Sequence, residues 1–493
     1  MANNTPYHWT LAQANQHLAA GDVSSRELTQ ACLERRKQLN DQLNFVVARD
    51  DDAALNAASA SDERRKKGEL LGPLDGIPVA LKDMFLTTEL PTTACSRILE
   101  NYRSPYNATA WRKLKEQGAV LVGKLNQDEF AMGSSNETSC HGPCRNPWDS
   151  QRSCGGSSGG SAGAVAAGLC PGSLGTDTGG SVRQPAAFCG VVGLRPTYGR
   201  VSRRGVIAFA SSLDQVGPLA RDVTGCAMLL SAIAGHDPHD STSLPHPAER
   251  YEQELPDQAK GLTVGVAEEL LEQADADVRA TVRNAAAAMQ ARGATLRPVS
   301  LPDPDLAVAA YYVLACAEAS SNLSRYDGVR YGPRKGQESG LDEMVRRTRG
   351  ELFGAEVKRR ILLGTYMLSA GYYDAYYVRA QKVRQHLARK LHQVLAEVDV
   401  ILGPTTPTSA FALGAKPDPL SMYLSDLYTI PASLAGLPAL SLNGGFCDSG
   451  LPVGVQLVGK ALQEKTLLQA AYALERELGL SNLPSMNNMD DPA

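Results

Sequence analysis

The chain has 493 residues, a formal charge of −4, 43% hydrophobic residues and 21% charged ones. That suits one large α/β domain or two to three smaller ones with a sizeable core. No lysine or arginine block is present, which excludes extensive nucleic-acid binding by this chain alone.

The first residues, MANNTPYHWTLAQANQHL, lack a cationic stretch followed by an apolar run, so no secretory signal is expected. No stretch approaches the roughly 20 apolar residues of a spanning helix, so no membrane contact is expected. Ser24 and Ser25 can cap a helix carrying ELTQACLERRKQL. IPVALKD (77–83) is an apolar run ending in a lysine, read as a buried strand. WRKLKEQGA has helical spacing with a glycine stop, AVLVGKLN (119–126) follows as a strand, and AGAVAAG (162–168) is a small-residue helix. The polar, proline-rich stretch 236–260 is a long surface loop or a weak boundary between lobes. LTVGVA, VDVILGP and PVGVQLVG read as strands; DADVRATVRNAAAAMQARG, 305–323, 355–397 and EKTLLQAAYALEREL read as helices. This alternation predicts an α/β fold. Apolar strands flank the loop, which favours one domain over 1–483, with 484–493 as a flexible tail.

The ten cysteines are scattered, as in a protein with reduced thiols in the cytoplasm. Cys140, Cys144 and Cys154, with His141, fit no usual zinc spacing, so no metal is expected and idle or buried thiols are the favoured reading.

Two Gly/Ser clusters stand out: GGSSGGSAGAVAAG (155–168) and TDTGGS (176–181). GGSSG fits G-x-S-x-G, but the polar NPWDSQRSC precedes it where a nucleophile elbow needs an apolar strand. His236, His239, His246, His386 and His392 lie in the polar loop or on a charged helix and read as surface residues. A phosphate loop fails for want of G-K-[ST]. Glycines can serve tight turns alone, yet in TDTGGS they also let successive amides converge beside a serine, as an oxyanion hole requires. Lys82 ends an apolar strand, where burial could neutralise it near pH 7 and make it a base, with a second serine as relay. An exposed lysine is the plain alternative.

Together these residues resemble the amidase signature family. The resemblance runs through 155–202, from GGSSGG to LRPTYGRVS, and includes GIPVALKD upstream. It implies an amidase signature fold, a large mixed central β-sheet covered on both faces by α-helices. It further implies Ser181 as nucleophile, Ser157 as a cis-peptide relay, Lys82 as base, and an oxyanion hole at Thr178, Gly179, Gly180 and the Ser181 amide. Outside the signature, KLNQDEFAMGSSNETS (124–139), EVKRRILLGTYMLSAGYYDAYY (356–377) and MYLSDLYTIPASLAGLPALSL (422–442) are similar to the family's glutaminase branch.

That branch supplies ammonia to tRNA-dependent amidotransferases. It implies glutamine as substrate, with Arg360 on the α-carboxylate, Asp426 on the α-ammonium and Tyr311 adding a hydrogen bond. It also implies a heterotrimer with B and C subunits, tRNA held mainly by the B subunit, and no cofactor in this chain, ATP and Mg acting on the B subunit. The product would be Gln-tRNA(Gln), with Asn-tRNA(Asn) as a second candidate. Met84 departs from the branch's usual asparagine, and the cysteines near His141 are also unusual. Two alternatives stand beside this reading: a stand-alone amidase for another small amide, and a non-catalytic scaffold that kept the fold.

Overall fold

The computed structural model describes residues 5–480, 483 and 484. Of the expected tail, 484–493, all but Pro484 lies outside the described residues. Eleven strands form one mixed sheet. From edge to edge they are Val46–Ala48, Val120–Leu125, Pro78–Lys82, Gly172–Asp177, Gln215–Ala220, Val192–Arg195, Ala439–Phe446, Pro452–Gly459, Val400–Pro404, Thr263–Val266 and Thr295–Pro298. Pro78–Lys82 runs parallel to both its neighbours, whereas the strands from Gly172–Asp177 to Val400–Pro404 pair antiparallel. Pro78–Lys82 is buried throughout, as its unbroken apolar run predicts.

Alternation along Pro452–Gly459 shows how the layers arise. Val455 and Leu457 join the core that holds Leu467 and Leu474 of the helix Glu464–Leu478. Gln456 points the other way and accepts from Arg183 (2.8 Å) of the helix Arg183–Cys189. The two faces of the sheet are thus covered by different helices.

The helix expected after Ser24 spans Ser25–Leu43 and opens with a capping box: Ser24 Oγ accepts from Glu27 N–H (3.1 Å) and Glu27 Oε2 accepts from Ser24 N–H (2.8 Å). The expected run 355–397 is not one helix. It divides into Ala355–Met367 and, after a turn over 368–372, a π-helical stretch Asp374–Val378 that continues into Arg379–Glu397; the turn forms where Gly371 takes φ +87°. The stretch 236–260 holds no helix or strand. Arg200 pins it by donating to Tyr251 Oη (2.7 Å) and to the carbonyls of His246 (3.1 Å) and Pro247 (2.7 Å). Strands before and after it share the one sheet.

One expectation needs correcting. The helical span Pro304–Arg325 does reach membrane-crossing length, its most apolar 18-residue stretch having a mean hydropathy of 1.2, but 56% of that stretch is buried inside the protein. Its apolar residues serve the core, where Leu314, Ala315 and Ala319 are fully covered.

Candidate active site

Lys82 and Thr176 stand at the carboxyl ends of two adjacent parallel strands, where open α/β sheets commonly place ligands. The Lys82 side chain is fully buried. Its Nζ lies 2.7 Å from Ser157 Oγ and 2.9 Å from Thr176 Oγ1, with the Thr176 carbonyl at 3.5 Å. Burial pushes the ammonium down to about 7, against the opposing pull of Asp128, Asp177 and Asp214. A lysine in that range can be neutral at physiological pH and accept a proton.

Ser157 follows a cis peptide bond from Gly156. Glycine is required at 156, since a Cβ there would lie 2.1 Å from Asp128 Oδ2 and 2.6 Å from the Ser135 nitrogen. The Asp128 N–H donates to the Ser157 carbonyl (3.3 Å), and the Ser158 N–H donates to that of Ser181 (3.1 Å). The two serines are therefore joined through backbone. Ser181 Oγ itself has no hydrogen-bond partner among the described residues, so no side-chain bond closes from Ser157 to Ser181.

The segment 178–181 presents consecutive amides. Among the described residues, the N–H groups of Thr178, Gly179, Gly180 and Ser181 have no acceptor. The segment is held from outside. Thr178 Oγ1 donates to Asp214 (2.7 Å), Thr429 Oγ1 donates to the Gly179 carbonyl (2.6 Å), and Gly180 takes φ +145°. Just before it, Asp177 meets Arg183 and Arg195, each at 3.0 Å, with all three fully buried. Against the cost of burial, the two guanidinium groups hold the Asp177 carboxyl well below its usual range.

Tyr311, Arg360 and Asp426 come from the helix Pro304–Asn322, the helix Ala355–Met367 and the turn Leu424–Asp426. The structure brings them beside the serines: the Tyr311 ring packs on Gly179, and the charges of Arg360 and Asp426 both act on it. All three are buried, at 4%, 2% and 6% exposure, yet each keeps a polar atom unused. Arg360 spends only Nε, on Glu356 Oε1 (2.7 Å), so both terminal nitrogens are without a partner among the described residues. The rings of Phe209, Tyr312 and Tyr423 flank its guanidinium at 5.2–5.7 Å. Asp426 accepts from the Ser134 hydroxyl through Oδ2 and leaves buried Oδ1 unpaired. Burial pushes its carboxyl up to about 7. The Tyr311 hydroxyl has no partner among the described residues.

Sequence reasoning missed Thr176, Asp128, Ser134 and Glu356, which position the singled-out side chains. The only signal was charge and hydroxyl groups inside otherwise apolar or glycine-rich runs such as KLNQDEFAMGSS. His236, His239, His386 and His392 are exposed and His246 is half-buried, so none of them supplies a buried base. Cys140 and His141 are exposed, while Cys144 and Cys154 are buried, and burial pushes all three thiols up. Among the described residues no three His, Cys, Asp or Glu side chains are grouped to hold a metal ion.

The pattern of the Amidase family matches residues 27–468. The glutamyl-tRNA(Gln) amidotransferase A subunit of Anaeromyxobacter sp. (strain K) is 57% identical over 95% of this chain and 96% of its own. The solved glutamyl-tRNA(Gln) amidotransferase A subunit from Thermotoga maritima shares 41% identity with a TM-score of 0.81, covering 99% of this chain and 100% of that one. The peptide amidase of Stenotrophomonas maltophilia superposes with a TM-score of 0.84 at 33% identity, covering 97% and 99% of the two chains. Backbone shape is thus shared by proteins of different names, while the higher identities here are those to the amidotransferase A subunits.

Proposed function

The chain belongs to the amidase family, and from that membership we propose that it is the glutamine-hydrolysing subunit of a tRNA-dependent amidotransferase. The observation that carries the reading is the set of unused polar atoms around Ser181. Two guanidinium nitrogens, one carboxylate oxygen, one phenol and four backbone amides match the α-carboxylate, the α-ammonium and the amide oxygen of glutamine. A site for apolar amides has no use for a buried Arg360–Asp426 pair.

In this reading the Ser181 hydroxyl turns toward Ser157 and attacks the side-chain amide carbon. Its proton passes to Ser157 Oγ as the Ser157 proton passes to neutral Lys82. The oxygen of the tetrahedral adduct gathers negative charge and is held by the amides of Thr178, Gly179, Gly180 and Ser181. The C–N bond breaks as the relay returns a proton to nitrogen, releasing ammonia and leaving a glutamyl ester on Ser181. Water enters by the same relay, and glutamate leaves. Arg360 and Asp426 orient the substrate throughout, with the Tyr311 hydroxyl as a further donor. These steps call on no cofactor in this chain.

The ammonia serves a B subunit that uses ATP and magnesium on Glu-tRNA(Gln), with a C subunit completing the complex in the cytoplasm. The test is glutamine-dependent transamidation by the co-expressed subunits, run separately on Glu-tRNA(Gln) and Asp-tRNA(Asn), beside hydrolysis of free glutamine and simple aliphatic amides. Glutamine hydrolysis coupled to amidation of Glu-tRNA(Gln) is expected. Hydrolysis of simple amides without coupling would instead make the chain a stand-alone amidase.

A further inference from the structure

One short segment touches both halves of the site. Asp128, Glu129 and Phe130 are consecutive, and each holds a different neighbour. The Asp128 N–H donates to the Ser157 carbonyl (3.3 Å). Glu129 is 3% exposed and accepts the Gly354 N–H through both carboxylate oxygens, at 2.9 and 3.2 Å, and the Ser96 hydroxyl through Oε1. Phe130 packs edge-on against Phe353, with ring centres 5.7 Å apart. Gly354 is the N-cap of the helix Ala355–Met367, and as a glycine it has no side chain to cap the helix. Glu129, 225 residues away in sequence, takes that position. An acceptor there complements both the free N–H and the positive end of the helix.

The segment is shaped for this contact. Phe130 and Ala131 take φ +51° and +60°, a left-handed pair that non-glycine residues rarely adopt. This turns Glu129 toward Gly354 while the Asp128 carboxylate stays on the amide of Asn136 (2.9 Å) and the hydroxyl of Thr138 (2.9 Å). The fit is tight, since a Cβ on Gly354 would lie 2.2 Å from Glu129 Oε2. Downstream in the same helix, Glu356 accepts from Arg360 Nε (2.7 Å) and from the Tyr423 hydroxyl (3.1 Å).

We propose that Glu129 is a positioning residue for glutamine recognition: its carboxylate fixes the start of the Arg360 helix against the segment that holds Ser157, and so sets where the guanidinium meets the substrate. The inference rests on the reading of Arg360 as the partner of the α-carboxylate. Glu129 touches neither the substrate nor the reacting atoms. Its removal weakens glutamine binding and leaves the chemical step in place.

The test uses the assembled enzyme and steady-state glutaminase kinetics of Glu129→Gln, Gly354→Ala, Arg360→Lys and the double variant Glu129→Gln/Arg360→Lys. Glu129→Gln halves the acceptor capacity, and Gly354→Ala displaces the carboxylate without deleting it. Both are expected to raise KM for glutamine by about tenfold, with kcat within about threefold of the parent. The double variant is expected to be no worse than Arg360→Lys alone, because Glu129 acts through that side chain. Fully additive effects, or a loss of kcat with KM unchanged, would overturn the proposal. If Arg360→Lys leaves KM for glutamine unchanged, the reading of Arg360 itself falls. If only Glu129→Gln and Gly354→Ala leave KM unchanged, the Glu129 inference falls alone.

Discussion

The two halves of the site are built differently. Lys82, Ser157 and the 178–181 amides sit at strand ends and in glycine turns, fixed by neighbouring backbone and by the side chains of Thr176, Asp214 and Thr429. Tyr311, Arg360 and Asp426 hang from separate helices and a turn that lie outside the sheet. In the proposed reading the first half carries out the amide-bond chemistry, and the second, assembled piecemeal, decides which amide enters. Reactivity and selectivity are thus mechanically separable here, joined at few points.

The most severe way to break that division is Ser181→Ala. It should lower glutamine turnover by about 10⁴-fold or more while the melting temperature stays put, because the hydroxyl is not part of the packing. Measurable turnover near the parent level would remove Ser181 from its role. Arg360→Lys addresses the other half. Losing the fork of terminal nitrogens is expected to cost about 2–3 kcal/mol of binding, seen as a KM for glutamine raised roughly 30- to 150-fold, with kcat changed far less. A fall confined to kcat would show that the halves are not separable.

The gentlest probe is pH, since it acts on a group in each half and on the Glu129 carboxyl behind them, which burial also pushes up to about 7. In the proposed mechanism Lys82 is a base only when neutral, and burial pushes its ammonium down to about 7. In the same reading Asp426 meets the substrate ammonium only when ionised, and burial pushes its carboxyl up to about 7. Both needed forms are present above that value and are lost as pH falls through it. The logarithm of kcat/KM should therefore drop below pH 7 with a slope of two or more. In Asp426→Asn the slope should fall by one, and a parent slope of one would strike Lys82 or Asp426 from its role.

The same division explains what the sequence made legible. The glycines and serines of 155–160 and 176–181 are local, and Lys82 ends an apolar run, so chemistry could be inferred from the string and its family resemblance. The strand Gly172–Asp177 escapes such reading because GSLGTD lacks β-branched density, although every residue in it is buried. The break in 355–397 escapes it because helical spacing continues on both sides of Gly371. Glu129 could not be found, because its partner Gly354 meets it only through the fold. Arg360 and Asp426 had no local signal and rested on resemblance alone.

The width of the sheet has a consequence for assembly. Its outermost strands, Val46–Ala48 and Thr295–Pro298, are only three and four residues long, and the second ends in a proline that lacks an N–H donor. Neither rim offers a ladder long enough to zip onto a strand from another chain. Strand addition at these rims is therefore disfavoured, which leaves the sheet closed to edge-to-edge aggregation and a companion protein to meet the molecule through its helices and loops.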